Sequence, residues 1–161
     1  MNAVFIGRFQ PFHRGHLHAI RRAADRYDVT VGIGSSQAAG TRNNPLSFDE
    51  REAVLSNCID LPIIGIPDQD DNEDWMRYIE EHVAFDLGVS GNDLVRSIFA
   101  DHGHRVEEPD LLQPDRFEGT AIRQRIAAGE DWRDRVPACA LSTLEEIGFA
   151  GRIRDIYDSD G

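Results

Sequence analysis

Residues 4–18 constrain the fold of this chain more than any other stretch. The apolar run 4–6 is uninterrupted, which predicts a β-strand buried on both faces, as in a parallel sheet. A loop rich in glycine, proline and histidine follows, and apolar residues at helical spacing begin at Leu17. Ligands of open α/β sheets bind at the carboxyl ends of strands, where the next helix N-terminus also attracts anions. The stretch therefore predicts a strand, an anion-binding loop and a helix.

Side chains that can carry positive charge are concentrated in this loop. His13 and His16 are three residues apart, so a first helical turn places them on one side, and Gly15 removes bulk so that a phosphate can approach. Together with Arg8 they suit the charge that develops on a phosphoryl group during transfer. A zinc pair is the alternative interpretation, but zinc needs further ligands, and the neighbouring sequence offers none at suitable spacing.

A second helix start, in residues 119–125, has the same character. Thr120 is the predicted N-cap, Gly119 lets the backbone approach a phosphate, and Arg123 lies within the first turn. This segment thus offers N–H groups, a hydroxyl and a guanidinium to an anion.

The remaining chain alternates short apolar runs with segments of helical periodicity. This order predicts an α/β fold, a Rossmann-like parallel sheet with helices on both faces, in a single domain over 1–161 with a C-terminal helical segment from about residue 137. Ser47 and Glu50 predict a capping box, and Asn72 or Asp74 is the predicted cap of the helix after the third strand. The predicted strands cover 4–6, 29–33, 61–66, 87–89 and 105–107, and the predicted helices cover 17–26, 48–57, 72–85, 93–102, 120–128, 138–147 and 149–157.

The charge balance is strongly acidic. The 161 residues carry 29 acidic and 17 basic side chains, a formal net charge of −12, and every basic residue other than histidine is arginine. A lysine-free acidic surface is typical of adaptation to molar salt, where the Debye length falls to roughly 3 Å and like charges are screened. An ordinary acidic protein is the alternative. Either interpretation argues against nucleic-acid or anionic-membrane partners.

We expect the folded state to require high salt, because screening offsets the repulsion within this surface. The melting temperature should fall steeply as potassium chloride is lowered from molar concentration to dilute buffer. Thermal melts across that range measure the effect, and an unchanged melting temperature would contradict salt adaptation.

The two cysteines, Cys58 and Cys139, are too few for a disulfide framework and wrongly spaced for a metal knuckle. We expect both to be reduced and half-buried. The sequence has no apolar stretch near 18 residues and no charged-then-apolar leader, so a cytoplasmic protein is expected.

The string Gly7-Arg8-Phe9-Gln10-Pro11-Phe12-His13-Arg14-Gly15-His16 contains the His-x-Gly-His motif of the nucleotidyltransferase superfamily. In full, the string resembles the archaeal nicotinamide mononucleotide (NMN) adenylyltransferases. The segments 34–35, 45–51, 90–92 and 119–123 also look like parts of that family. The resemblance implies transfer of AMP from ATP to NMN, giving NAD and pyrophosphate, by a homo-oligomer such as a hexamer.

The resemblance also implies roles for individual residues. Catalysis would rest on His13, His16 and Arg123, and Asp68, Asn72 and Trp75 would bind NMN. Magnesium would arrive with ATP, so no protein ligand for a metal is expected. The residues implied in ATP binding are Gly7, Arg8, Phe9, His16, Ser90, Gly91, Asn92, Gly119, Thr120 and Arg123.

Some positions stay open. Glu118 stands where the family pattern has serine, and a carboxylate there repels phosphate unless it turns outward or holds a cation. Arg51 either faces the site or pairs with a glutamate on the surface, and Arg42 is a further candidate for the site. Trp75 is either a core residue or a stacking platform for a ring.

Other functions share parts of the pattern. Small nucleotidyltransferases acting on phosphopantetheine, FMN or glycerol phosphate share the turn but begin it with Gly-x-Phe-Asp, whereas residues 7–10 read Gly-Arg-Phe-Gln. A class I aminoacyl-tRNA synthetase fragment needs a lysine in its second motif, which this chain lacks. A non-catalytic sensor of NAD or ATP is the alternative from another class.

Overall fold

The computed structural model describes residues 1–114 and 116–160, which form two compact units. The sheet unit consists of Met1–Arg8, Ala19–Gln37 and Leu61–Asp110, and the helical unit consists of Phe9–His18, Ala38–Asp60 and Leu111–Gly161. The strands are β1 Asn2–Gly7, β2 Asp28–Gly34, β3 Ile63–Ile66, β4 Leu87–Val89 and β5 Arg105–Glu107. The helices are α1 Arg14–Ala24, α2 Phe48–Ser56, α3 Asn72–His82, α4 Asp93–Asp101, α5 Gly119–Ala127, α6 Ala138–Ile147 and α7 Phe149–Asp160.

The sheet unit contains a five-stranded parallel sheet in the order β3-β2-β1-β4-β5. The α/β fold class and the predicted strands are confirmed, and β3 begins two residues later than predicted. The chain adds β2 and β3 on one side of β1 and then β4 and β5 on the other side, so the strand order reverses between β1 and β4. In sheets of this kind that point is where ligands bind.

Apolar side chains from the sheet and from α3 and α4 form the core of the sheet unit. Val4 and Ile6 on β1 are buried together with Met76 and Ile79 on α3 and Phe99 on α4. This explains why residues 4–6 read as an uninterrupted apolar run. The strand carrying the first predicted site residues is therefore held in a packed interior.

The start of α3 differs from the prediction. Asp71, rather than Asn72 or Asp74, is the N-cap, and its carboxylate accepts the N–H of Asp74 at 2.8 Å. The helix ends at His82, three residues before the predicted end. Several neighbouring side chains can cap equally well, and the backbone decides between them by where it turns helical.

In the helical unit, α2 begins with the predicted capping box between Ser47 and Glu50. Glu50 also accepts two hydrogen bonds from Arg152 of α7, at 2.5 and 2.7 Å. The hydrogen bonds from Arg152 lower the pKa of Glu50 despite its partial burial.

The predicted bounds of α6 are confirmed, and Gly148 ends that helix with a left-handed backbone. None of the helices in the described ranges is both long and apolar enough to cross a membrane.

The cysteines differ from the prediction of two reduced thiols. Cys58, just after α2, and Cys139, in the first turn of α6, form a disulfide with a Cα–Cα distance of 5.3 Å. Their 81-residue separation in sequence gives no indication of this contact, which arises because α2 and α6 pack together.

We expect reduction of this disulfide to lower the free energy of unfolding by about 2–5 kcal/mol, because the bond closes a long loop in the unfolded chain. Denaturation with and without reductant measures the loss. The double variant Cys58→Ser/Cys139→Ser is the control and should not respond to reductant. A parent protein equally stable in both conditions would contradict the prediction.

Candidate active site

A stacked histidine pair opens α1 in the helical unit. The rings of His13 and His16 lie 3.5 Å apart between centroids. The N–H of His13 donates to Nδ1 of His16 at 3.1 Å, and the N–H of His16 donates to Nδ1 of His13 at 3.3 Å. Since each Nδ1 accepts a hydrogen bond, these partners assign the proton of each neutral ring to Nε2. The pair thus carries two Nε2–H donors.

Burial keeps both histidines neutral at neutral pH. Phe9 meets the ring of His16 edge-on at 4.8 Å, and Phe12 stacks on it at 5.7 Å. Burial lowers the pKa of His13 to about 4, although the charge of Glu118 opposes the shift. Burial and then His13 lower the pKa of His16. The expected cationic histidines are therefore neutral donors.

Gly15 has a structural role beside the histidine pair. A Cβ at this position would lie 3.0 Å from Cε1 of His13 and 3.1 Å from Cβ of Phe117. The space beside Gly15 is therefore filled by the ring of His13. The absence of a side chain at Gly15 therefore permits the histidine stack.

The cap of α5 is also different. Glu118, not Thr120, is the N-cap, and its carboxylate accepts the N–H groups of Thr120 at 2.9 Å and Ala121 at 3.0 Å. Burial alone would raise the pKa of Glu118, but these hydrogen bonds and the charge of Arg123 outweigh it and lower the pKa. Glu118 therefore neither turns away from the helix nor leaves its first N–H groups to an external anion.

Arg123 connects α5 to the loop that carries the histidines. Its side chain is buried, and Nη1 donates to the carbonyl of Gln10 at 2.5 Å while Nη2 donates to Oγ1 of Thr120 at 3.2 Å. A Cβ at Gly119 would lie 3.1 Å from both Nη1 and that carbonyl. The structure thus brings together the predicted catalytic residues His13, His16 and Arg123 within one unit.

Gln10 is a positioning residue that sequence reasoning missed. Its buried side chain donates to the carbonyl of Leu46 and accepts the N–H of Leu46, both at 2.9 Å. With its own carbonyl held by Arg123, this residue fixes the loop on two sides. A glutamine between Phe9 and Phe12 is the signal that could have indicated such a role.

The structure decides one of the alternatives for the two further arginine candidates. Arg51 is fully buried and donates to the carbonyls of Ser47 at 3.2 Å and Ala38 at 3.5 Å, so the surface pairing considered above is wrong. The guanidinium of Arg42 lies 4.0 Å from the ring centroid of Tyr157. Both are held by structural contacts within the helical unit.

The sheet unit contains a cavity of about 420 Å³ at the carboxyl ends of its strands. This volume is within the range of small-molecule sites. Gly91, which is in the described part of the chain, does not line the cavity, whereas its neighbours Ser90 and Asn92 do. The predicted site residues that line it are Gly7, Arg8, Asp68, Asn72, Trp75, Ser90 and Asn92.

Two of these residues are held firmly. Asp68 accepts hydrogen bonds from Ser35 at 3.0 Å and Gln37 at 2.8 Å, and its own N–H donates to Gln37 at 2.9 Å. Trp75 meets Phe99 edge-on at 6.1 Å and also lines the cavity. The tryptophan thus lies at the border of the core and also lines the cavity, and its role as a stacking platform stays a prediction.

Residues 1–114 and 116–160 contain no cluster of three histidine, cysteine or acidic side chains placed to hold a metal ion. The candidate donors in the helical unit are the imidazole N–H groups of His13 and His16 and the guanidinium of Arg123. Such groups bind anions and stabilise negative charge.

Residues 4–118 match the cytidylyltransferase-like family. Over 99% of its length the chain is 35% identical to the nicotinamide-nucleotide adenylyltransferase of Haloarcula marismortui, covering 89% of that protein. It is 37% identical to the enzyme of the same name from Methanosphaerula palustris, with 98% of each chain covered.

A solved structure supports the fold alone. The bifunctional NMN adenylyltransferase/ADP ribose pyrophosphatase of Francisella tularensis aligns with a TM-score of 0.75 and 23% identity over 96% of this chain. The chain spans about half of that larger protein, 51% of its length. Through the full-length similarity to the archaeal enzymes, the chain belongs to the nicotinamide-nucleotide adenylyltransferase family.

Proposed function

We propose that this chain transfers AMP from ATP to NMN, giving NAD and pyrophosphate, with His13, His16 and Arg123 as catalytic residues. The observation that carries the assignment of these residues is the cluster of neutral imidazoles and a buried guanidinium at the start of α1 and α5. These groups are all donors. A phosphate nucleophile is already ionised, so such a reaction needs stabilisation of charge rather than a general base.

In this mechanism an oxygen of the NMN phosphate attacks the α-phosphorus of ATP, and the bond from that phosphorus to the pyrophosphate oxygen breaks. Nε2–H of His16 and of His13 stabilises the negative charge on the oxygens of the reacting phosphorus. Arg123 stabilises charge on the leaving pyrophosphate. ATP enters as its magnesium complex, so the cation is part of the substrate.

The cavity of the sheet unit supplies the NMN-binding site in this proposal. Asp68 and Asn72 hydrogen-bond the amide and ribose of NMN, and Trp75 stacks on the nicotinamide ring. On the ATP side, Gly7, Arg8, Phe9, Ser90, Gly91, Asn92, Gly119 and Thr120 complete the assignment. The proposal includes a homo-oligomer, a hexamer by family resemblance, which light scattering can test.

We expect Trp75→Ala to weaken NMN binding and to leave ATP binding nearly unchanged, because the ring platform serves the acceptor. The loss of one stacking face is worth roughly 0.5–1.5 kcal/mol plus the lost burial. Titration of each substrate measures this, with Trp75→Phe as the control that keeps an aromatic face. Equal loss of ATP affinity, or unfolding, would place Trp75 in the core alone.

An acceptor panel tests the reaction. Pyrophosphate release is measured in molar salt with NMN, nicotinic acid mononucleotide, phosphopantetheine, FMN and glycerol phosphate. We expect the pyridine mononucleotides to be the productive acceptors. A preference for another acceptor would indicate a different nucleotidyltransferase, and nucleotide binding without release would indicate a sensor.

A further inference from the structure

The N-terminus of α5 is occupied by a carboxylate from the chain itself. Glu118 accepts the N–H groups of Thr120 and Ala121, and it also interacts with the hydroxyl of Thr120. That hydroxyl in turn accepts a hydrogen bond from Arg123. Glu118 thus already occupies the backbone N–H groups and the hydroxyl that the sequence predicts as phosphate-binding donors at this helix.

Arg123 indicates that this site is built for more negative charge than Glu118 supplies. The side chain is only 5% exposed, and within the described part of the chain its Nε has no hydrogen-bond partner. Buried donors nearly always have partners, because leaving one unpaired costs about 1–3 kcal/mol. An additional acceptor, such as an oxygen of a bound anion, would satisfy it.

The position of Glu118 suits exchange with such an anion. The residue is exposed, so its carboxylate can move into solvent without crossing packed side chains. The preceding residue, Phe117, lies beside Gly15 and the ring of His13, so the carboxylate is close to the histidine pair, and its charge acts on His13. A polyphosphate and a carboxylate cannot share the same two N–H groups, because like charges repel at contact distance.

We propose that Glu118 is a built-in competitor of polyphosphate at the start of α5. Pyrophosphate, or the β- and γ-phosphates of ATP, binds there by displacing the carboxylate from the N–H groups of Thr120 and Ala121. Glu118 therefore weakens polyphosphate binding and favours release of the pyrophosphate product. The identity of the anion rests on the proposed function.

A matched pair of variants separates charge from capping. Aspartate and asparagine are about equally good N-caps and have the same shape, so Glu118→Asp and Glu118→Asn differ in charge alone. Binding of inorganic pyrophosphate is measured by calorimetry with EDTA present, at the lowest salt in which all three proteins are folded. We expect Glu118→Asn to bind at least about tenfold more tightly than Glu118→Asp, which should remain near the parent.

Equal affinity of the two variants would overturn the proposal, since Glu118 would then act only as a cap. If Glu118→Asn binds pyrophosphate more weakly than Glu118→Asp, and does so again when magnesium replaces EDTA, the proposal is overturned and Glu118 is a carboxylate that holds a cation. Absence of pyrophosphate binding in every variant would also overturn it. If Glu118→Asn fails to fold, Glu118→Gln replaces it in the same comparison. Since the readout is binding, it is independent of whether NMN is the acceptor, which the acceptor panel decides.

Discussion

Replacing His16 with alanine should lower kcat about 10²–10³-fold and change ATP affinity much less. This range is typical for removal of one preorganised donor to a developing oxyanion. The structure supports this proposed role, because Nδ1 of His16 accepts the N–H of His13 and its Nε2 therefore carries the proton. Steady-state kinetics with separate ATP binding measurements test the split between kcat and KM.

Two further variants guard against a structural explanation. His16→Asn keeps a short acceptor for the N–H of His13 but lacks the distal donor, so we expect it to be as inactive as His16→Ala and more stable. His16→Gln offers a donor near the position of Nε2 and should recover part of the rate. Circular dichroism in high salt confirms folding. A near-normal kcat with only a raised KM would mean that His16 binds substrate and transition state alike.

Replacing Arg123 with alanine should lower turnover by about 10³-fold or more, the range seen when an arginine that stabilises phosphoryl transfer is lost. A stability loss should accompany it, because the buried carbonyl of Gln10 loses its donor. Leaving that acceptor unsatisfied costs about 1–3 kcal/mol.

Arg123→Lys separates these two effects. Lysine keeps the positive charge but lacks the fork that reaches Gln10 and Thr120 together, so we expect intermediate turnover and partly recovered stability. Chemical denaturation and kcat are measured on the same samples. A folded Arg123→Ala protein with near-normal turnover would remove Arg123 from the catalytic residues.

Local signals predicted the elements of the fold well. The run 4–6, and the apolar segments ending at Ile66 and Val89, predicted strands because burial on both faces leaves no room for polar residues. The capping box at Ser47 was also predictable, since both of its partners lie within four residues.

The errors arose where distant residues or exact backbone turns decide the outcome. Thr120 and Asn72 are good caps by type, but the chain turns helical two residues earlier than a Thr120 cap requires and one residue earlier than an Asn72 cap requires, so Glu118 and Asp71 do the capping. The disulfide between Cys58 and Cys139 depends on the packing of α2 against α6.

The protonation states of the two histidines also could not be predicted from the sequence. Histidines beside an arginine read as cations in a sequence, whereas burial against Phe9 and Phe12 makes His13 and His16 neutral. Arg51 is likewise fully buried, and one of its hydrogen-bond acceptors, the carbonyl of Ala38, lies 13 residues away in the chain. Residue types identified the candidate side chains, and the packed interior determines their charge.

Adenylyl transfer is tested most directly by following the phosphorus atoms of ATP in the presence of NMN. With ATP labelled at the α-phosphorus, the label should appear in NAD, and with ATP labelled at the γ-phosphorus it should appear in pyrophosphate. Label that stays in bound ATP, or an α-label recovered in ADP while NMN gains the γ-phosphate, would contradict adenylyl transfer by this chain.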